Sequence, residues 1–120
     1  MSALVRTIVV LFMMSFAVSA PKPEKEALKA PSGLRVSTRF EGAMAIAELR
    51  WTDHSENELG FEILRSDNGD EFRVVGMAGA DTVRIDDEVG KYISGAFVYK
   101  VRAFNEAGRS QETRGISVWF

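Results

Sequence analysis

The chain has 120 residues, with 15 Lys or Arg against 17 Asp or Glu, and it contains no cysteine. This length leaves room for one domain, and the slightly acidic balance excludes the concentrated basic face that a nucleic-acid partner requires. Because cysteine is absent, disulfides, thiolate chemistry and Cys-ligated metal are excluded as well. The fold must therefore be held together by core packing without covalent cross-links.

The N-terminal residues have the composition of a secretory signal peptide. Arg6 supplies one positive charge, and an apolar run extends over residues 8–18. The small residues Ser19 and Ala20 follow, as at a cleavage site. The apolar run is shorter than the roughly 20 residues that a membrane-spanning helix needs. We therefore predict a signal peptide at residues 1–19, a secreted or periplasmic location, and no stable membrane insertion after cleavage.

Residues 20–30 contain two of the three prolines and five charged residues. Such a composition cannot bury a core and favours an extended, solvated segment. We predict a disordered linker at residues 20–30 and one folded domain at residues 31–120. The linker is either a spacer that holds the domain away from a surface or a leader without a role of its own.

Alternating apolar and polar residues predict short strands throughout the domain. The first strand includes Leu34 and Val36. The second covers about residues 43–51 and directs four apolar side chains to a single face: Ala45, Ala47, Leu49 and Trp51. Met44 and Ile46 on its opposite face are also apolar. That face is therefore either covered by a neighbouring loop or left as an exposed edge.

The next two strands are predicted around a polar loop and a tight turn. The loop covers residues 53–59 and ends at Gly60, after which apolar residues alternate again from Phe61. Asn68 and Gly69 form a dipeptide that supplies the positive φ of a two-residue hairpin. The returning strand then covers residues 71–74.

Three further strands are predicted at about residues 82–86, 97–103 and 114–120. The acidic residues 86–88 fall in a crossing loop after the first of them. The other two strands direct alternate side chains inward: Phe97, Tyr99, Val101 and Ala103 in one, and Ile116, Val118 and Phe120 in the other. Seven short strands with regular turns, and no helical period after residue 20, predict an all-β antiparallel sandwich.

Two motifs resemble the fibronectin type III domains of bacterial secreted proteins. The first combines Trp51 with the run from Asn57 to Ile63, and the second extends from Tyr99 to Ser110. The resemblance covers Pro31 to Phe120 and implies a seven-stranded, immunoglobulin-like sandwich. One position departs from the family, because the tyrosine whose hydroxyl bonds back to upstream backbone is replaced here by Phe97.

The chain offers little from which to build a catalytic or metal site. His54 is the only histidine, and its immediate loop neighbours cannot converge on it as a catalytic triad requires. The acidic residues 86–88 lack the alternation and central glycine of a calcium loop. Asp53, Glu56 and Glu58 are interpreted as loop hydrogen-bonding residues shared with the resembled family. We therefore predict no catalytic residue, no metal, no cofactor and no enzymatic activity.

A candidate binding surface remains on the sheet that holds the third, sixth and seventh strands. Its predicted outward residues combine an aliphatic side chain with two cations and two aromatic rings: Leu64, Lys100, Arg102, Phe104 and Trp119. Aromatic and Arg side chains dominate protein-binding hot spots, and the same rings could stack on a sugar. Alternatively, the stems of the cations cover the rings and nothing binds there.

These observations predict an exported, non-catalytic interaction module that binds an unidentified protein partner at the cell envelope or outside the cell. The alternative is a carbohydrate-associated accessory domain of an extracellular polysaccharide-processing system, because domains of the resembled family accompany secreted polysaccharide-degrading enzymes. In that case the partner is a polysaccharide. A nucleic-acid partner is not expected under either hypothesis.

Overall fold

The computed structural model describes residues 28–120 of the chain. The predicted signal peptide at residues 1–19 and most of the predicted linker lie outside this range. Leu28 packs against the core, and Lys29 exchanges two main-chain hydrogen bonds with the hydroxyl of Ser55, at 2.9 and 2.8 Å. Leu28 and Lys29, which belong to the predicted linker, therefore contact the domain.

Eight strands form the secondary structure of the described residues, and none of these residues is helical. Their bounds are β1 (Ser32–Glu41), β2 (Met44–Thr52), β3 (Gly60–Asp67), β4 (Arg73–Gly79), β5 (Arg84–Lys91), β6 (Ala96–Asn105), β7 (Gly108–Arg109) and β8 (Ile116–Trp119). Residues 28–120 accordingly contain no helix with the length and hydropathy that a membrane crossing requires.

The strands pair into two antiparallel sheets that pack face to face. The smaller sheet has the order β1-β2-β5, and the larger has the order β4-β3-β6. The short strands β7 and β8 pair with the two ends of β6 on its far side. The predicted antiparallel sandwich is confirmed, since each of the seven predicted strands overlaps an observed strand and the two-residue β7 is the only addition among the described residues.

The core lies between the sheets and follows the predicted alternation. All four inward residues predicted for β2 and all four predicted for β6 are buried. The rings of Trp51 and Phe61 contact each other at the centre, with centroids 5.4 Å apart. On the opposite face of β2, Ile46 is buried and Met44 is half-buried, so this face is covered rather than exposed.

The acidic run at residues 86–88 was predicted as a loop, but it lies within β5. A carboxylate rarely faces a core without a partner, and here Asp87 faces inward and receives hydrogen bonds from Arg65 of the other sheet. Asp86 faces the opposite way and pairs with Arg39 of β1. Partners from distant strands therefore allow charged residues to continue the strand.

The last predicted strand, at residues 114–120, is shortened to β8 at Ile116–Trp119, and the two-residue β7 precedes it at Gly108–Arg109. Between them the hydroxyls of Ser110 and Thr113 accept the N–H groups of Ala103 and Val101, at 2.9 and 3.0 Å. The N–H groups of Ser110 and Thr113 donate in return to the carbonyls of Ala103 and Val101. Side-chain oxygens thus replace backbone carbonyls as acceptors. These main-chain N–H groups of β6 remain hydrogen-bonded although the neighbouring strand is interrupted.

Candidate functional site

The five residues of the predicted binding surface all lie on the outer face of the larger sheet. Cross-strand partners in antiparallel strands point to the same side. The register pairs Leu64 with Lys100 and Glu62 with Arg102. Phe104 is four residues after Lys100 on the same strand and therefore faces the same side. Trp119 pairs with Ala96, which is four residues before Lys100, so Trp119 faces that side as well. The prediction of a shared face from the strand period therefore agrees with the register.

These five residues do not form one contiguous surface. Leu64 is on the outer face as predicted, but it is only 5% exposed and offers little surface to a partner. Trp119 pairs with Ala96 at the start of β6, whereas Phe104 lies eight residues further along that strand. At about 3.3 Å per residue, the two aromatic positions are roughly 26 Å apart. A single ligand would have to be about this long to contact both rings.

The two cations of the predicted surface are already neutralised by neighbouring acids. Arg102 and Arg109 both donate to Glu62, at 2.8 and 2.9 Å. The hydrogen bond from Arg109, together with that from Arg102, lowers the pKa of Glu62 although burial opposes the change. Lys100 pairs with Glu112 at 3.2 Å. Neither cation is therefore available as an unpaired anchor.

Lys100 also covers an aromatic ring, but not one of the two that were predicted. Its Nζ lies 4.4 Å from the centroid of the Phe72 ring, which is a favourable cation–π geometry. Phe104 instead lies against Gly60, where an added Cβ would come within 3.1 Å of the ring. Trp119 is 68% exposed, and within residues 28–120 no cation lies over its ring. Of the predicted residues, Trp119 alone presents a large apolar surface to solvent.

A second apolar area on the outer face was not predicted. It consists of Phe72, Val74 and Met77, which we call the edge patch, and all three side chains are exposed. Val74 pairs with Leu64, and Met77 pairs with Glu62, so both face outward. A bulge at this point shifts the β3–β4 register by one residue. Sequence alternation carries no signal of such a bulge, which is why the prediction missed the patch.

A charged group bridges the two sheets near the end of β3. Arg65 donates to Asp67 at 2.6 Å and to Asp87 at 2.8 Å, and the Tyr99 hydroxyl donates to Asp87 at 2.6 Å. We call these four residues the inter-sheet network. Burial raises the pKa of the Tyr99 hydroxyl far above its ordinary value, and the hydrogen bond to Asp87 adds to this. The hydrogen bond from Arg65 lowers the pKa of Asp67. Every charge in the network has a partner, so its role is structural.

His54 lies at the surface beside a hydroxyl that sequence reasoning did not place there. Its Nε2 is 2.7 Å from the Oγ of Ser32, which begins β1. Within residues 28–120 no carboxylate hydrogen-bonds the imidazole. The pair lacks the orienting acid that completes a catalytic triad, and its geometry fits a hydrogen bond between two loop side chains.

Three acidic side chains meet where β3 begins. Asp53 and Glu58 come from the β2–β3 loop and Asp81 from the β4–β5 loop, and one carboxylate oxygen of each lies within 4.8 Å of the others. We call them the acidic group. Glu58 accepts the N–H of Asp81 at 3.0 Å, and Asp53 accepts the N–H of Ser55 at 2.9 Å. The predicted hydrogen-bonding role of Asp53 and Glu58 is therefore correct, but sequence spacing gave no sign of Asp81.

Comparison with known proteins gives matches among solved structures alone. No protein-family model and no curated protein matches the chain. An Fn3-like protein from Clostridium thermocellum matches with a TM-score of 0.59 and 17% identity, over 77% of this chain and 92% of that chain. The chicken CNTN1 FN1–FN3 domains match with a TM-score of 0.59 and 20% identity, over 75% of this chain and 32% of that one.

A β-1,2-glucanase from Parabacteroides distasonis also contains a matching segment. The TM-score is 0.62 at 23% identity, over 78% of this chain and 12% of the glucanase. In the first three matching structures, this chain spans 12%, 17% and 32% of the matched chain. Such low identity carries information about fold rather than activity. The described residues have the fibronectin type III fold that the sequence motifs predicted.

Proposed function

We propose that this chain is an exported, non-catalytic interaction module that binds a protein partner at the cell envelope or outside the cell. The exposure of Trp119 on the outer face of the larger sheet carries the proposal. Tryptophan is a preferred interface anchor, because it buries a large rigid area and keeps an N–H group for hydrogen bonding. Export is supported by the signal-like composition of residues 1–19.

The edge patch supports the same proposal from the other side of the outer face. Val74 and Met77 expose apolar atoms on an edge strand of the sheet, and Phe72 does so immediately before that strand begins. The nearby cations Lys100 and Arg102 are paired with acids of the chain itself. A partner would therefore be recognised mainly through apolar contact, which favours a protein surface over a polyanion.

The proposal is tested by capture of a partner from envelope extract of the host. The chain carries a C-terminal affinity tag and is purified from its host, so that any processing of the N-terminus has occurred. Trp119→Ala is compared with Tyr92→Ala, a matched control because Tyr92 is also an exposed aromatic residue (88%) but follows β5 of the other sheet. We expect a protein that wild type and Tyr92→Ala retain and that Trp119→Ala loses.

Equal retention by Trp119→Ala would contradict the role of this residue. A combined Val74→Ser and Met77→Ser variant then shows whether the edge patch is the anchor instead. If no protein is retained by any form, the proposed protein-binding function is wrong. Both substitutions replace exposed side chains, so loss of folding is not expected to confuse the result.

A second candidate is a carbohydrate-associated accessory domain, which the matching segment of the β-1,2-glucanase favours. An exposed indole is also a suitable platform for stacking on a sugar ring. Titration of soluble β-1,2-glucan should then quench the fluorescence of Trp119, while Trp51 is buried and remains as an internal reference. Unchanged fluorescence at saturating glucan would exclude this candidate for that polysaccharide.

A further inference from the structure

The acidic group has a geometry that the sequence did not predict and that the proposed function does not use. Asp53 and Glu58 lie on one loop and Asp81 on another, so the group joins two loops at one end of the sandwich. Glu58 is only 7% exposed, Asp53 is half-buried and Asp81 is exposed. The group is therefore open to solvent on the side of Asp81 and closed at Glu58.

The negative charge of the acidic group is not balanced by the protein. Among residues 28–120, no Lys or Arg forms an ion pair with Asp53, Glu58 or Asp81, although the other buried carboxylate, Glu62, is paired twice. Carboxylates in such proximity repel one another unless a positive charge lies between them. The carboxylates of Asp53 and Glu58 are fixed by main-chain N–H groups, unlike those of a fully solvated run of acids.

A second observation points to a ligand independently of the clustering. The Oε1 atom of Glu58 is buried and accepts no hydrogen bond from any described residue, while the N–H of Asp81 donates to Oε2. A buried carboxylate oxygen without a donor is costly, and native structures rarely leave one without a reason. A cation bound among the three carboxylates would satisfy this atom.

From these two observations we propose that Asp53, Glu58 and Asp81 form a calcium-binding site. The ion lies about 2.3–2.6 Å from its oxygen ligands, so two ligands of one Ca²⁺ are at most about 5 Å apart. The three oxygens lie within 4.8 Å of one another, which is below this pairwise limit, so small movements of the side chains bring all three to a common ion. Mg²⁺ requires near-octahedral geometry at about 2.0–2.1 Å and keeps several water ligands, so three carboxylates from two loops suit it less well. Zn²⁺ prefers nitrogen and sulfur ligands, which the group does not contain.

Existing hydrogen bonds hold two of the three carboxylates, those of Asp53 and Glu58, in place for the ion. The N–H of Ser55 fixes Asp53, and the N–H of Asp81 fixes Glu58 across the two loops. Asp81 has a φ of 64°, a left-handed conformation that turns its loop at this point. Three carboxylates supply only part of the six to eight oxygens that Ca²⁺ takes, and water supplies the rest. We therefore expect a dissociation constant of about 10⁻⁴–10⁻³ M, the range of extracellular modules.

Calcium should stabilise the fold because it links two loops that are separate in sequence. The full chain, stripped with EDTA and dialysed, is titrated with CaCl₂ by calorimetry and melted with and without the salt, with NaCl added to match ionic strength. We expect binding of one ion per chain and a rise in melting temperature of about 6–10 °C at a concentration ten times the dissociation constant. MgCl₂ should give a smaller rise.

Charge-removing variants that keep the local hydrogen bonds assign the effect to the acidic group. Asp81→Asn keeps the N–H that reaches Glu58, and asparagine tolerates the left-handed conformation. Asp53→Asn keeps an acceptor for Ser55. We expect each variant to weaken calcium binding at least tenfold. Glu56→Gln is the matched control, since Glu56 lies in the same loop but outside the group, and it should bind as wild type does.

The proposal is overturned if CaCl₂ gives neither heat of binding nor a melting shift beyond that of matched NaCl. It is also overturned if both Asp81→Asn and Asp53→Asn bind calcium as tightly as wild type, because the ion then lies elsewhere. Partner capture through Trp119 involves the opposite end of β3 and a different face. Each proposal can therefore fail while the other stands.

Discussion

Strand β3 runs between two groups of acidic side chains that differ in how their charge is balanced. At its end, the inter-sheet network surrounds Asp67 and Asp87 with a guanidinium and a phenol. At its start, the acidic group brings three carboxylates together without a cation from the described residues. Both regions remove carboxylate oxygens from solvent, which costs free energy in each. Among the described residues, only the network offsets this cost with a cation and a hydroxyl of the chain itself.

The difference separates a structural role from a binding role. In the network, the hydrogen bonds of Arg65 to Asp67 and Asp87 outweigh the effect of burial, and the pKa of Arg65 is raised above its ordinary value. Nothing remains there for a ligand to satisfy. In the acidic group, Oε1 of Glu58 is left without a donor. The buried oxygen without a donor thus distinguishes the acidic group from the network, whereas acidity is common to both.

Removal of Arg65 should have the largest effect on stability. Arg65→Met keeps an aliphatic stem but leaves Asp87 facing the other sheet without its cation. Loss of one partner from a buried ion pair costs about 3–5 kcal/mol, and we expect a loss of this size in the free energy of unfolding. Urea denaturation measures it. Arg84→Met is the control, since Arg84 pairs with Glu48 at the exposed surface, and a loss as large as that of Arg65→Met would show that exposure does not matter here.

Loss of the Tyr99 hydroxyl should have a smaller effect that depends on pH. Tyr99→Phe removes the hydrogen bond to Asp87, and bonds to charged groups are worth about 1.5–3 kcal/mol. The pKa of Tyr99 is raised in the folded chain, so the unfolded chain releases this proton first as the pH rises past about 10. The advantage of wild type is complete below that pH and declines above it. Denaturation at pH 7 and pH 11 measures both values, and an equal difference at the two pH values would contradict the assignment.

Neutralisation of Glu58 should have the smallest effect, and its sign should depend on calcium. Glu58→Gln can still accept the N–H of Asp81 but removes one of three crowded negative charges. In EDTA we expect a gain in the free energy of unfolding on the order of 1 kcal/mol, because repulsion is relieved. In excess CaCl₂ wild type should become the more stable form. Destabilisation by Glu58→Gln in EDTA would show that the charge is already balanced.

The strand period made much of the fold and part of the candidate surface predictable. Inward positions such as Leu49 and Val101 were correct, because alternation follows from the geometry of the backbone itself. The same alternation correctly assigned Lys100 and Trp119 to one face. The alternation could not predict how exposed each side chain is, because the residues that bury Leu64 and the acid that pairs with Lys100 belong to other segments of the chain.

The sequence by itself determined which side chains share a face, where the turns occur and which family the chain resembles, since these depend on neighbours a few residues apart. Only the tertiary structure decided which charges meet. Asp87 reaches Arg65 across the two sheets, and Asp81 reaches Glu58 from a separate loop. Such contacts depend on sheet packing, strand register and loop closure, and a one-residue shift in register would turn the side chains to the other face. The alternation of apolar and polar residues that predicts the strands therefore does not determine which charged side chains come into contact.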